Sequence, residues 1–175
     1  MTALLKDGTR VQPVASPFTE TAAATLTRPA NTTAYTANDA VTDTGGAACS
    51  WPNIANSVDA PVALEALRIT TADTGPGTAV ATFEVYVYNS APTPAADNAA
   101  FTFPIAGYCG RYSGTFMAAT DGSVATLTPA VGSRRILKPV AGDTKLYFIV
   151  KTLTAFTPSA NSTVFNVIAE AFQGV

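Results

Sequence analysis

Thr78–Tyr88, TAVATFEVYVY, is the stretch whose reading decides the fold class. Phe83, Val85 and Val87 fall on one face, with Thr82, Glu84, Tyr86 and Tyr88 on the other, which is the two-residue period of a half-buried strand. Val62–Thr71 is its clearest companion, and the Gly75-Pro76-Gly77 turn between them is expected to close a hairpin. Tyr86 and Tyr88 put large amphipathic rings on the nominal solvent face. Such rings imply a second layer or a partner surface above them.

Working outward, the same grammar repeats. Ala22–Arg28 and Ala40–Thr44 read as short strands around a turn, and the pattern resumes at Phe101 and Phe103 and again over Ser113–Met117. An Asp121-Gly122 turn leads into Val124–Leu127, and Ile136–Val140 reads as an edge strand with Arg134 and Arg135 just ahead of it. Lys145–Leu153 is the strongest single strand, with Leu146, Phe148 and Val150 on one side and Tyr147, Ile149 and Leu153 on the other; Thr163–Phe172 is expected to pair with it. No amphipathic helix of ordinary length emerges. Short strands separated by Gly, Pro, Asn and Asp turns predict an all-β, antiparallel β-sandwich, jelly-roll-like rather than a barrel.

A chain of 175 residues buries about 70% of its unfolded surface, enough for a single core. Residues 1–21, broken by Gly8, Pro13 and Pro17, are expected to form an extended N-terminal arm, and 22–175 one domain. The Pro-rich run Ala91–Asn98 is expected to cross one edge of the sandwich.

The composition narrows the chemistry. Charged residues are 13% of the chain and the net charge is −2, which gives no basic excess for nucleic acid. The exterior must be largely Thr, Ser, Asn, Ala and Gly, a texture that tolerates protein contact because little charge has to be desolvated. There is no histidine, which removes the usual general base, nucleophile activator and zinc ligand together. A carboxylate pair could still hydrolyse glycosides, with Glu65 and Glu84 on adjacent expected strands as the pair to test; otherwise both are ordinary strand residues. Asp39 and Asp43 supply too few oxygens for a cation by themselves, so no metal and no cofactor is expected. Cys49 and Cys109 are expected to be reduced and buried. MTALLKDGTR lacks a signal-peptide core, and the longest apolar block, Leu146–Val150, falls far short of the roughly 20 residues of a membrane span. No membrane partner is expected.

Leu26–Thr44, LTRPANTTAYTANDAVTDT, carries the densest turn chemistry. Pro29 biases Arg28 toward extended geometry and ends a strand. Asn31 or Thr33 could cap a brief helical turn over residues 34–37, with Tyr35 plugging the core edge and Asp39 accepting backbone donors. Trp51, in a glycine-flanked loop, is either a core filler or an exposed contact anchor or sugar platform.

The run Arg28, Pro29, Ala30, Asn31, Thr32, Thr33, Ala34 and Tyr35, with Asp39, resembles a segment of small β-rich bacteriophage virion proteins of the capsid decoration (cement) type. Looser support comes from Leu67–Thr71, from DNAAF over Asp97–Phe101 and from Phe156-Thr157-Pro158. The resemblance implies a non-enzymatic jelly-roll subunit, made in the host cytoplasm and carried on the capsid surface of the virion. It further implies a homotrimer that clamps the major capsid protein lattice. Arg28, Tyr35, Trp51, Tyr86 and Tyr88 are the expected partner-binding residues. A tail-associated or glycan-binding β-sandwich module is the alternative.

Overall fold

The computed structural model describes residues 18–173. Its strands are β1 (Phe18–Thr27), β2 (Ala40–Val41), β3 (Cys49–Trp51), β4 (Val62–Thr71), β5 (Thr82–Tyr88), β6 (Tyr108–Thr115), β7 (Met117–Ala119), β8 (Gly122–Pro129), β9 (Ile136–Leu137), β10 (Leu146–Thr152) and β11 (Val164–Gln173), with a single helical turn, α1 (Gly75–Thr78), after β4. The expected arm lies outside the described residues as far as 17. Residues 18–21 belong to β1, so the strand begins earlier than Ala22.

The strands pair antiparallel in the order β1-β11-β4-β8-β6-β5-β10-β2, with β3 also on β10, β7 on β8 and β9 on β4. The first four of that order form one layer. The last four form the other, and β6 joins β8 only at Tyr112↔Pro129 and Ser113↔Thr128, where the sheet turns its corner. Each layer draws strands from both ends of the chain, so that β1 lies beside β11 and β2 beside β10. This is the jelly-roll wrapping that the sequence leads one to expect.

Two expected pairings are corrected by this topology. β4 and β5 do not form a hairpin: β4 lies between β11 and β8, whereas β5 lies between β10 and β6. Nor does β10 pair with β11, whose neighbours are β1 and β4. Alternation dictates which face of a strand is buried but leaves its edges unassigned, and here the β4–β5 and β10–β11 connections both cross between layers. Gly75-Pro76-Gly77 accordingly forms one helical turn, with Pro in its first positions where no amide donor is needed. The Glu65 and Glu84 carboxylates therefore belong to different layers and not to adjacent strands.

The core is the space between the layers. Leu67, Ile69, Phe83, Val85, Val87, Phe148, Val150, Phe165 and Val167 all point into it, as the period-two reading requires. Phe83 meets Phe116 edge-on at 4.8 Å and lies 5.4 Å from Phe156. Two hydrogen bonds cross the core: Trp51 Nε1 donates to the Val167 carbonyl at 2.9 Å, and the Tyr112 hydroxyl to the Leu64 carbonyl at 2.8 Å. The second acceptor sits at a β-bulge, where Ala66 opposes Glu170 and Leu64 opposes Ala171, which leaves Glu65 without a partner on β11.

Candidate functional site

The five residues singled out from the sequence are all buried. Arg28, Trp51 and Tyr88 are 0% exposed, Tyr35 1% and Tyr86 7%. As surface anchors they are corrected: each is held by neighbours of its own chain.

Arg28 and Tyr35 build a buried polar knot. Pro29 ends β1, and the guanidinium turns inward over the Tyr35 ring at 4.5 Å. Its Nε donates to the Tyr35 hydroxyl. Nη2 reaches Asn31 Oδ1 and the Asp97 carboxylate, both at 3.4 Å. The Tyr35 hydroxyl donates to Asp97 Oδ1 at 2.7 Å, and the Thr42 amide donates to the same oxygen at 3.0 Å. Burial raises the Tyr35 phenol pKa, and the hydrogen bond to Asp97 raises it further, so the hydroxyl remains a donor. Tyr35 also stacks on Phe156 at 4.7 Å. No helical turn forms over residues 34–37. Instead Asn31 Oδ1 accepts the Thr33 amide, and Asp39 Oδ2 accepts the amide and hydroxyl of Thr36. Asp43 accepts the amides of Thr27 and Gly45, so the two aspartates serve separate turns.

Trp51 is in strand β3 rather than a loop, packed 4.3 Å from Phe148. Tyr86 and Tyr88 do face away from the main core, and a second layer covers them. Segment 95–108 folds back over this face, zipped to the chain by the Phe101 amide on the Asn38 carbonyl at 2.9 Å and the Ala40 amide on the Ala99 carbonyl at 2.8 Å. Phe101 and Phe103 are therefore not strand residues; their rings sit 4.8 and 5.6 Å from Tyr86.

Beneath that cover lies a charged cluster. Glu84 accepts the Tyr86 hydroxyl at 2.7 Å and pairs with Lys151 at 3.0 Å and Arg111 at 3.3 Å. Burial alone would raise the Glu84 pKa, but the Tyr86 hydrogen bond and the two cations outweigh it and hold the group below the ordinary carboxylate range. It is thus kept ionised, unsuited to act as a general acid. Glu65 is half-buried and paired with Arg135 at 3.2 Å.

Asp73 is the second saturated carboxylate. It accepts from the Gly75 amide at 2.7 Å, the Ser159 hydroxyl at 2.7 Å and amide at 3.0 Å, and the Thr163 hydroxyl at 2.7 Å, which ties the exit of β4 to the β10–β11 connection. Two shallow concavities of about 290 and 320 Å³ flank this corner and share Thr71, Ala72 and Asn166 in their walls. Among the described residues no three His, Cys, Asp or Glu side chains converge as a metal site. Cys49 and Cys109 are free and half-buried; burial, followed by the charge of Asp43, pushes the Cys49 thiol up to about 12, so it is inert near neutral pH.

What the sequence reading missed is on the surface. Phe103, Tyr108, Ile105, Val131, Ile136 and Val140 are all exposed, Val131 completely and Ile105 by 79%. The signal was present in VGSRRILKPV over residues 131–140, where cations and aliphatic residues share one short segment around β9. Compared with known protein families and with curated proteins, the chain matches none.

Proposed function

We propose that this protein is a non-enzymatic structural component of a bacteriophage virion, a capsid decoration or cement protein that binds the major capsid protein lattice as a homotrimer and stabilises the head. The observation that carries the reading is the exterior. A weakly charged jelly roll whose buried carboxylates are saturated still exposes ten large apolar side chains among the described residues, seven of them within residues 103–140. Exposed apolar groups gathered together on a folded domain, as Phe103 and Tyr108 are at 4.9 Å, mark a contact surface. The likeness of the Arg28–Asp39 segment to virion proteins adds the kind of assembly. The glycan-binding alternative depended on Trp51 as a ring platform, and that ring is in the core.

A clamp acts by adding complementary buried area, about 1,000 Å² or more per stable contact, across subunit boundaries, and needs no chemistry of its own. The test is addition of the purified protein to particles that lack it, followed by particle reconstruction and heating. Occupancy of symmetry-related capsid sites and a higher temperature of DNA release are expected. No density on the capsid and unchanged release would sink the proposal.

A further inference from the structure

We propose that one end of the jelly roll, centred on segment 130–142, is the docking face for an acidic protein surface, with Arg134, Arg135 and Lys138 as its charge determinants. The inference rests on the reading above and names the partner's chemistry.

The end is rigidly built. Ser133 Oγ accepts the Arg111 amide at 3.1 Å and donates to the Arg111 carbonyl at 2.9 Å. The Val140 amide donates to the Asn89 carbonyl at 3.2 Å, and the Asn89 amide to the Gly107 carbonyl at 2.9 Å, so the strap over 130–142 is laced to the segment that carries Ile105 and leads into Tyr108 of β6. On the other side the Asp143 amide donates to Val140 at 3.0 Å and the Asp59 amide to Asp143 at 3.3 Å. β9 pairs with Val62 and Ala63 of β4, which turns Leu137 into the core and therefore Ile136 out.

On this frame Val131, Ile136 and Val140 are exposed between Arg134, Arg135 and Lys138, and the segment contains no carboxylate. The chain as a whole has net charge −2, so this gathering of cations runs against its composition. The Arg135 side chain pairs with Glu65 at 3.2 Å; it is 62% exposed and the Glu65 side chain 40%, a partly solvated pair that an incoming carboxylate can displace at little cost. Two guanidinium forks favour bidentate carboxylates. Apolar and cationic residues are interspersed along the segment, which suits a protein interface of apolar centre and charged rim; a bilayer would demand an apolar tip below a basic collar.

The experiment compares wild type, the reversal Arg134→Glu/Arg135→Glu/Lys138→Glu, and the neutral triple in which all three become Gln, with Arg68→Glu on another exposed site as control. Sedimentation with particles lacking the protein is measured across salt concentrations, alongside thermal melting, light scattering, and sedimentation with phosphatidylserine/phosphatidylcholine vesicles. Expected are wild-type attachment that weakens with salt, attachment reduced about 100-fold or more by the reversal and less by the neutral triple, unchanged attachment of the control, and melting within a few degrees for all. Equal attachment of wild type and both triples would overturn the docking face while leaving the virion reading intact. No wild-type attachment would overturn both. Loss of vesicle binding in the triples would replace the protein partner by an anionic membrane, and dissociation of an oligomer by either triple would make the occupant a second copy; each overturns the proposal.

Discussion

Arg28 and Asp97 stand 69 residues apart in sequence and form a buried ion pair, with Nη2 3.4 Å from the carboxylate. The pair joins the exit of β1 to the segment that covers Tyr86 and Tyr88, and so couples the main core to the second layer. A buried charge stripped of its partner is costly, whichever partner is removed. Arg28→Ala and Asp97→Ala should each destabilise by about 3–5 kcal/mol in chemical denaturation, and the double variant by much less than their sum. Additive losses would mean that the two groups do not depend on each other.

Tyr112 holds the layers together through a bond that one atom controls. Deleting its hydroxyl leaves the bulge carbonyl of Leu64 without this donor in the core, so Tyr112→Phe should cost about 1–3 kcal/mol with little change in packing. Trp51→Phe removes the corresponding donor to Val167 and some volume as well, and should cost at least as much. A Tyr112→Phe protein as stable as wild type would show that the hydroxyl bond contributes nothing net.

Acid should unfold the protein through Asp73 and Glu84. Burial opposes ionisation of both, but hydrogen bonds from Ser159 and Thr163 to Asp73, and from Tyr86 and Lys151 to Glu84, leave both folded-state pKa values lowered. A depressed carboxylate contributes stability that is complete above its unfolded pKa, about 3.9 for Asp and 4.3 for Glu, and is lost as pH falls through the folded value. Melting temperature should therefore be flat from pH 7 to about 5 and fall below about 4. Asp73→Asn should be less stable at neutral pH and show a shallower acid limb; an unchanged limb would assign the acid sensitivity elsewhere.

Gly114 of β6 pairs with Phe83 of β5 and lies beside the corner where β6 meets β8 at Tyr112 and Ser113. A Cβ there would lie 2.2 Å from the Thr126 carbonyl oxygen, a backbone atom with no side-chain freedom to yield. Gly114→Ala should separate the two layers at this edge and lower the melting temperature by roughly 10 °C or more, a large loss of the overpacking kind. Wild-type melting would show that the corner relaxes freely.

Local chemistry made the elements legible. The inward set Phe83, Val85, Val87 and the terminus of β1 before Pro29 are consequences of pleat geometry and of a missing amide, both written in adjacent residues. The layered all-β class follows from those strands. Partners were not legible: β5 chose β10 and β6, and β11 chose β1 and β4, because a strand edge offers the same amides and carbonyls to every candidate. For the same reason the sequence left Trp51 open between core and contact anchor and Tyr86 and Tyr88 open between a second layer and a partner surface, until folding brought Val167 and the 95–108 cover against them. Sequence alone determined that this chain forms strands with one greasy face; tertiary packing decided which large side chains that face would absorb and left Val131, Ile136 and Val140 outside, since burial depends on contacts between residues far apart in the chain.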